Sequence, residues 1–240
     1  MLTTFRDLFS PPRHMILLVA AAWLGLTLTE KRAERHGISK ENINNIIFYG
    51  LLAFVIGGRL SFILQNTIAF IKSPLGIISV NPDMFDPAGG TAVAFLVALI
   101  YGQRSGLLFW DTLDALTPFF AILSIGMGLG HLAAGKAFGK ETDLAWGINL
   151  WNATRHPTQL YETFASLLIF ILLWFKRHDP RPGILFLTFA ALTAGSQLFI
   201  QAFRGDSILI LNGIKQEQVV ALAALTGIFI LLEYRIKEKS

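Results

Sequence analysis

The sequence contains no cysteine and few charged residues, and both features exclude classes of protein. Without cysteine, the 240-residue chain forms no disulfide and offers neither a thiolate nucleophile nor a Cys-ligated metal site. Charged residues make up only 15% of the chain, against roughly 25% in a typical soluble domain. Hydrophobic residues make up 53%, and the mean hydropathy is +0.56. The chain is therefore expected to be integral to a membrane.

The basic residues are spread between apolar segments and do not cluster. The formal net charge is +4, which suits a bacterial-type inner-membrane protein with basic cytosolic loops. A nucleic-acid partner is not expected, because binding to nucleic acid requires a basic patch or stripe. The five histidines are scattered without ligand spacing, so neither a metal nor another cofactor is expected.

Seven apolar runs predict an all-α, polytopic bundle of about seven transmembrane helices, in a single domain over residues 1–240. The runs are Met15–Thr29, Ile43–Leu64, Gly90–Gly102, Leu107–Leu129, Thr163–Phe175, Gly183–Phe199 and Val219–Leu232. Several are shorter than the roughly 20 residues that span a bilayer, so their flanks must extend them. The first run is followed by charge without a small-x-small cleavage site, which favours a membrane helix over a cleaved signal.

Lysine and arginine in alternate loops predict the orientation of the bundle. If these loops are cytosolic, the N-terminus lies outside and the C-terminus lies in the cytoplasm. The outer segments are then an arm at about residues 65–87, a small head at about residues 130–156, and the 202–218 connection. Glycine, proline, aspartate and asparagine in these stretches are typical of short loops.

The stretch "TRHPTQLYETF", residues 154–164, places polar side chains where an apolar run begins. Pro157 suits the first turn of a helix, and a helix N-terminus beside Arg155 and His156 favours binding of phosphate. Gln159 is three residues before Glu162, so both can share a face with His156. The alternative interpretation is a simple helix cap.

Glu162 and Tyr161 distinguish the phosphate-binding interpretation from the helix cap. Glu162 already enters the apolar run, where a charge usually faces a cavity or a partner. In the alternative interpretation Tyr161 merely belongs to an interfacial aromatic belt.

Two arginines are predicted to lie on the same outer side as His156. Arg59 follows Gly57 and Gly58 in the second run, and Arg204 ends the sixth. Together with the histidine they predict one pocket for an anionic phospholipid head group. The alternative is that each arginine snorkels or forms a structural ion pair.

Several short motifs resemble those of the prolipoprotein diacylglyceryl transferase family and follow the same order along the chain. The resemblance rests on "HPTQLYE" preceded by "TDLAWG", with "GGRL", "AGG", "DALTP" and "FR" elsewhere, and it covers nearly the whole chain. It implies a seven-helix inner-membrane protein with a small outer head. It also implies transfer of diacylglycerol from phosphatidylglycerol to the lipobox cysteine of a preprolipoprotein, with formation of a thioether and departure of glycerol phosphate.

The chain departs from the family pattern at positions that matter for this chemistry. Ala88 replaces a histidine before Gly89, Gly128 replaces an arginine, His131 an asparagine and Lys136 a glutamate. One hypothesis is a divergent transferase, in which Lys136 supplies the cation and His131 the base. The other is a catalytically inactive relative that acts as a phospholipid-binding accessory subunit of a membrane complex.

The candidate site therefore has two groups of residues. The catalytic candidates are Arg204, His131 and Lys136. The lipid-binding candidates are Arg59, Gly89, Gly90, Arg155, His156, Gln159, Tyr161 and Glu162. The expected partners are phosphatidylglycerol or another anionic phospholipid, a preprolipoprotein and the bilayer itself.

Overall fold

The computed structural model describes residues 13–78, 84–176, 179, 181–210 and 213–237, and helices dominate them. The helices are α1 Arg13–Ala33, α2 Lys40–Gln65, α3 Thr67–Lys72, α4 Pro87–Arg104, α5 Phe109–Ala134, α6 Thr158–Phe175, α7 Ile184–Ile200 and α8 Gln216–Lys237. Short 3-10 helices cover Glu34–His36, Pro74–Ile78 and Gln201–Phe203. Two antiparallel hairpins pair β1 (Ile148–Leu150) with β2 (Ala153–Arg155) and β3 (Leu209–Ile210) with β4 (Ile214–Lys215).

The predicted all-α polytopic fold is confirmed. Each of the seven apolar runs coincides with a helix, and polar flanks extend most of them as bilayer thickness requires. Among the described residues, six helices are long and apolar enough to cross a membrane: α1, α2, α5, α6, α7 and α8. The remaining long helix, α4, has 18 residues and is not among the six. Helix α5 continues to Ala134 and so includes the beginning of the predicted head segment.

The chain divides into two compact units. The first contains residues 1–31 and 113–240, and the second contains residues 32–112. The first unit holds α6, α7, α8 and both hairpins, whereas the second holds α2, α3 and α4. Arg59, Gly89 and Gly90 therefore belong to the second unit, and the other candidate residues belong to the first.

Glycines allow α2 and α4 to pack closely in the second unit. A Cβ added to Gly57 would lie 2.5 Å from Val93 Cβ. Such close approach is typical of helix pairs in membranes, where small residues permit van der Waals contact between backbones. Asp86 caps α4 by accepting hydrogen bonds from the amides of Ala88 and Gly89. Hydrogen bonds, first from the Ser61 hydroxyl and then from these amides, lower the pKa of Asp86 despite partial desolvation.

Three features organise the helices of the first unit. Helix α1 packs on α5 where a Cβ added to Gly126 would lie 2.3 Å from Ala21 Cβ. Asp114 is only 3% exposed and accepts hydrogen bonds of 2.7 Å from the amides of Gly183 and Phe186. It thereby caps the start of α7 from another helix. The cluster of Ala121, Ile169, Leu173 and Phe189 forms a core between α5, α6 and α7.

Candidate functional site

A short bridging segment, residues 138–140, brings Arg204 beside the segment that carries His156. The Lys140 amide donates to the Phe203 carbonyl at 2.8 Å, and the His156 amide donates to the Lys140 carbonyl at 2.9 Å. A Cβ added to Gly139 would lie 2.2 Å from the His156 carbonyl oxygen, so no side chain fits there. The bridging segment therefore joins two motifs that are far apart in sequence.

Glu162 lies at the centre of a charge network formed by His131, Glu162, Arg204 and Asp206. Glu162 is 6% exposed, and its Oε2 atom lies 3.0 Å from His131 Nδ1. Its Oε1 atom lies 3.7 Å from the Nη1 atom of the Arg204 guanidinium. The Nε and Nη2 atoms of Arg204 bind the carboxylate of Asp206 at 2.9 and 3.2 Å. The charge that the sequence placed at the start of an apolar run is thus paired inside the protein.

The contact with Glu162 assigns the tautomer of His131. A carboxylate accepts hydrogen bonds, so the proton of the neutral imidazole is on Nδ1 and the Nε2 atom remains an acceptor. The His131 side chain is 34% exposed, so its ring can be reached from outside the protein. An imidazole oriented by a carboxylate is an arrangement that can take a proton from a nucleophile.

His156 lies in an aromatic cluster and has a different environment. The Trp146 indole N–H donates to the Tyr161 hydroxyl at 3.0 Å, and that hydroxyl lies 3.4 Å from His156 Nδ1. The Tyr161 hydroxyl can accept from Trp146 and exchange a further hydrogen bond with the imidazole at the same time. The Phe203 ring packs 5.1 Å from the imidazole.

Gln159 ties the start of α6 to the end of α5. Gln159 is fully buried, and its amide N–H donates to the Lys136 carbonyl at 2.9 Å. The neighbouring Thr158 hydroxyl donates to the Ala137 carbonyl at 2.6 Å. These bonds satisfy carbonyls just past the end of α5, which lack partners within the helix. They fix the start of α6, which carries Glu162, relative to the end of α5, which carries His131.

Arg155 holds the β1–β2 hairpin together. Its guanidinium donates to the Leu150 carbonyl at 3.1 Å and to the Glu141 carboxylate at 3.2 Å. It also stacks over the Phe138 ring, 5.2 Å from the centroid. Its charge is thus compensated within the head.

Arg59, in the second unit, binds backbone carbonyls of the arm. Its guanidinium donates to the carbonyls of Met84 at 2.6 Å and Gly76 at 2.5 Å, and it lies 5.8 Å from the Phe70 ring centroid. The described part of the arm includes α3 and the 3-10 helix at Pro74–Ile78. The predicted pocket that combines Arg59 with His156 and Arg204 stays a prediction.

Gly89 and Gly90 take part in helix packing. A Cβ added to Gly89 would lie 2.2 Å from the Ser61 hydroxyl, and one added to Gly90 would lie 2.7 Å from the Phe54 carbonyl. Both contacts are with α2. The absence of a side chain at these positions is therefore explained by packing, and a role in lipid binding stays a prediction.

Gly128, where the family resemblance predicts an arginine, lies against the backbone of α6. A Cβ added there would lie 2.5 Å from the Thr163 hydroxyl and 3.0 Å from the Thr163 backbone nitrogen. An arginine side chain at this position would push α5 and α6 apart. Any side chain at this position therefore affects the spacing of the helices that carry His131 and Glu162.

Sequence reasoning missed two residues that contact Arg204. Asp206 binds its guanidinium, and Lys215, which is 7% exposed, donates to its carbonyl. Burial lowers the pKa of Lys215, and the positive charges of Lys140 and Arg204 lower it further. Only the "RGD" spacing could have indicated Asp206. Nothing in the sequence distinguishes Lys215 from an ordinary interfacial lysine.

Comparison with known proteins identifies similar sequences. A family model described as prolipoprotein diacylglyceryl transferase matches residues 13–234. A protein from Methylococcus capsulatus is 29% identical over 174 residues, which cover 69% of this chain and 65% of that protein. One from Oleidesulfovibrio alaskensis is 26% identical over 93% of this chain and 87% of its own length. One from Bordetella avium is 31% identical over 64% of this chain and 60% of its own length. All three are named phosphatidylglycerol–prolipoprotein diacylglyceryl transferase.

Proposed function

Because the chain belongs to the prolipoprotein diacylglyceryl transferase family, we propose that it moves diacylglycerol from phosphatidylglycerol to the lipobox cysteine of a preprolipoprotein. The observation that carries this proposal is the charge network, which combines a base, a carboxylate and a cation at the head of a multi-pass membrane protein. We also propose a bacterial inner membrane as its location, with the N-terminus outside and the C-terminus in the cytoplasm.

In this reaction the thiol proton passes to Nε2 of His131, while Glu162 holds the ring by its Nδ1–H. The thiolate attacks the diacylglycerol carbon that carries the phosphate, so that a carbon–sulfur bond forms and the carbon–oxygen bond breaks. Glycerol phosphate leaves with the electron pair of that bond, and His131 releases its proton to solvent. A base of this kind contributes about 10²–10⁴-fold to a rate.

Arg204 is the cation that we assign to the phosphate. Its Nε and Nη2 atoms are bound to Asp206, whereas its Nη1 atom lies 3.7 Å from Glu162, beyond hydrogen-bond distance. The N–H groups of Nη1 therefore lie beside a carboxylate without a hydrogen bond to it. Charge developing on the leaving phosphate would be stabilised there without reorganisation of the site.

A second candidate function is phospholipid binding without chemistry, as an accessory subunit of a membrane complex. The close contact of Gly128 with α6 favours it, because this packing leaves no room for the arginine of the family. Under this hypothesis Arg204 still attracts an anionic head group, and His131 has no catalytic role.

The test is a transfer assay in proteoliposomes with radiolabelled phosphatidylglycerol and a lipobox peptide. His131→Asn, Arg204→Ala and Lys136→Ala are compared with the wild type, and His36→Asn is the control for loss of a histidine elsewhere. We expect label on the peptide with the wild type and the control, and a loss of about 10²-fold or more with His131→Asn and Arg204→Ala. If Lys136 supplies the predicted replacement cation, Lys136→Ala also loses the label.

Two other outcomes count against the transferase. If the wild type labels no peptide but phosphatidylglycerol co-purifies with it in an Arg204-dependent manner, the accessory function is favoured. If the wild type labels no peptide and retains no phosphatidylglycerol, both functions are wrong. Transfer that persists unchanged in Arg204→Ala refutes only the role assigned to that arginine.

A further inference from the structure

Lys215 is a buried lysine whose ammonium is surrounded by backbone carbonyls. It is 7% exposed, and its Nζ atom lies 2.5 Å from the Gln201 carbonyl oxygen, 3.4 Å from that of Ala202 and 2.5 Å from that of Arg204. An ammonium has three N–H donors, and here three carbonyls converge on it. The first two carbonyls belong to the 3-10 turn Gln201–Phe203, which follows α7, and the third belongs to Arg204 itself. Carbonyls at such an end lack helical partners and attract a cation.

Both Lys215 and the backbone of Arg204 are held in place by further contacts. Lys215 lies on β4, where it pairs with Leu209 of β3, and the Gln216 amide donates to the Ile208 carbonyl at 2.9 Å. On the other side, Arg204 bridges to Gly139 of the bridging segment. The backbone of Arg204 is thus held between the bridging segment and the ammonium of Lys215, while its guanidinium faces Glu162.

Charge at this position is costly to the protein. Burial of an ammonium disfavours its charged form, and two neighbouring cations, Lys140 and Arg204, add repulsion. Glu217 and Asp206 offset part of this repulsion. Among the described residues, all the hydrogen-bond acceptors of Lys215 are carbonyls of residues 201–204. The contact is therefore directed at the turn that carries Arg204.

We propose that Lys215 is a positioning residue for the transfer reaction: its ammonium holds the turn at residues 201–204 so that the Arg204 guanidinium faces the lipid phosphate beside Glu162. The inference rests on the proposed function, since it concerns the same site. In this proposal Lys215 does not contact the substrate.

The test compares Lys215→Met, which keeps the length of the side chain and removes its donors, with the wild type in the proteoliposome assay. We expect kcat/KM to fall by about 10²-fold, the effect of a displacement near 1 Å in a catalytic site. The double variant with Arg204→Ala should be no worse than Arg204→Ala alone, because Lys215 acts through that arginine. Lys237→Met, which removes an exposed lysine paired with Glu233, is the matched control and should keep full activity.

Hydrogen exchange separates positioning from general stability. We expect Lys215→Met to speed exchange at the amides of residues 201–205 and to leave the amides of α6 unchanged. Unchanged kcat/KM in folded Lys215→Met, or losses that add to that of Arg204→Ala, would overturn the proposal. If Lys215→Met does not fold, Lys215→Arg replaces it. The planar fork of arginine keeps the charge but cannot follow three converging carbonyls, so unchanged kcat/KM in that variant would also overturn the proposal.

The same experiment distinguishes a failure of this proposal from a failure of the proposed function. If the wild type transfers no label and retains no phosphatidylglycerol, the function is wrong whatever Lys215 does. If the wild type is active and the exchange of residues 201–205 does not respond to Lys215→Met, the function stands and the positioning role is wrong.

Discussion

Replacing Gly128 with alanine is expected to destabilise the protein, although alanine normally stabilises a helix. Gly128 lies inside α5, and an added Cβ would lie 2.5 Å from the Thr163 hydroxyl, 3.0 Å from the Thr163 nitrogen and 3.2 Å from the Gln159 carbonyl oxygen. The hydroxyl could rotate away, but it already donates to the Gln159 carbonyl at 2.8 Å. The two backbone atoms cannot move unless α6 moves. The two helices must therefore separate.

Two opposing effects determine the magnitude. Alanine gains about 1 kcal/mol over glycine from helix propensity, whereas overpacking a close contact costs about 1–3 kcal/mol. We expect a net loss of about 1 kcal/mol, which lowers the melting temperature by about 2–4 °C in a chain of this size. His131 lies one turn after Gly128, and Glu162 directly precedes Thr163. Separation of the helices should therefore lengthen the 3.0 Å contact between His131 and Glu162 and reduce transfer about tenfold or more.

The assay is thermal denaturation of the purified protein in detergent, followed by the transfer assay on the folded fraction. Gly195→Ala in α7 is the matched control, because a Cβ at Gly195 would meet nothing within 4 Å. That variant should raise the melting temperature and keep its activity, since only helix propensity changes. A Gly128→Ala variant that is as stable and active as Gly195→Ala would refute the steric argument.

Three further predictions follow from single contacts. Asp114→Ala removes two amide hydrogen bonds at the start of α7 and should cost about 3 kcal/mol, measured as a lower melting temperature; an unchanged value would contradict its role as a cap. Arg59→Lys keeps the charge but loses the fork that holds the arm, so limited proteolysis within residues 65–87 should become faster, and an unchanged rate would contradict that role. Arg181 lowers the pKa of Asp179 to about 2. Wild type should therefore exceed Asp179→Asn in stability by about 0.2–1 kcal/mol above pH 4 and lose that advantage as the pH falls to about 2; a pH-independent difference in melting temperature would contradict this.

Much of the candidate site could be named from the sequence, but its pairings could not. The sequence indicates Glu162 because a carboxylate at the start of an apolar run needs a partner, and it indicates His131 through the family resemblance, which predicts an asparagine there. Their contact joins residues 31 positions apart on two helices, and no local pattern encodes it. For Arg59 the sequence predicts a phosphate ligand, and only the structure shows that its guanidinium donates to the carbonyls of Met84 and Gly76; the predicted lipid contact stays a prediction.

The sequence by itself determined the membrane class, the positions of the long helices and the family, because apolar run length and motif order are properties of contiguous residues. The tertiary structure alone decided which charges neutralise one another. It brought Arg204 between Glu162, Asp206 and the ammonium of Lys215 through a glycine-dependent bridging segment. Close backbone approach and the burial of a cation depend on atoms from distant parts of the chain, and so they appear only when the chain has folded.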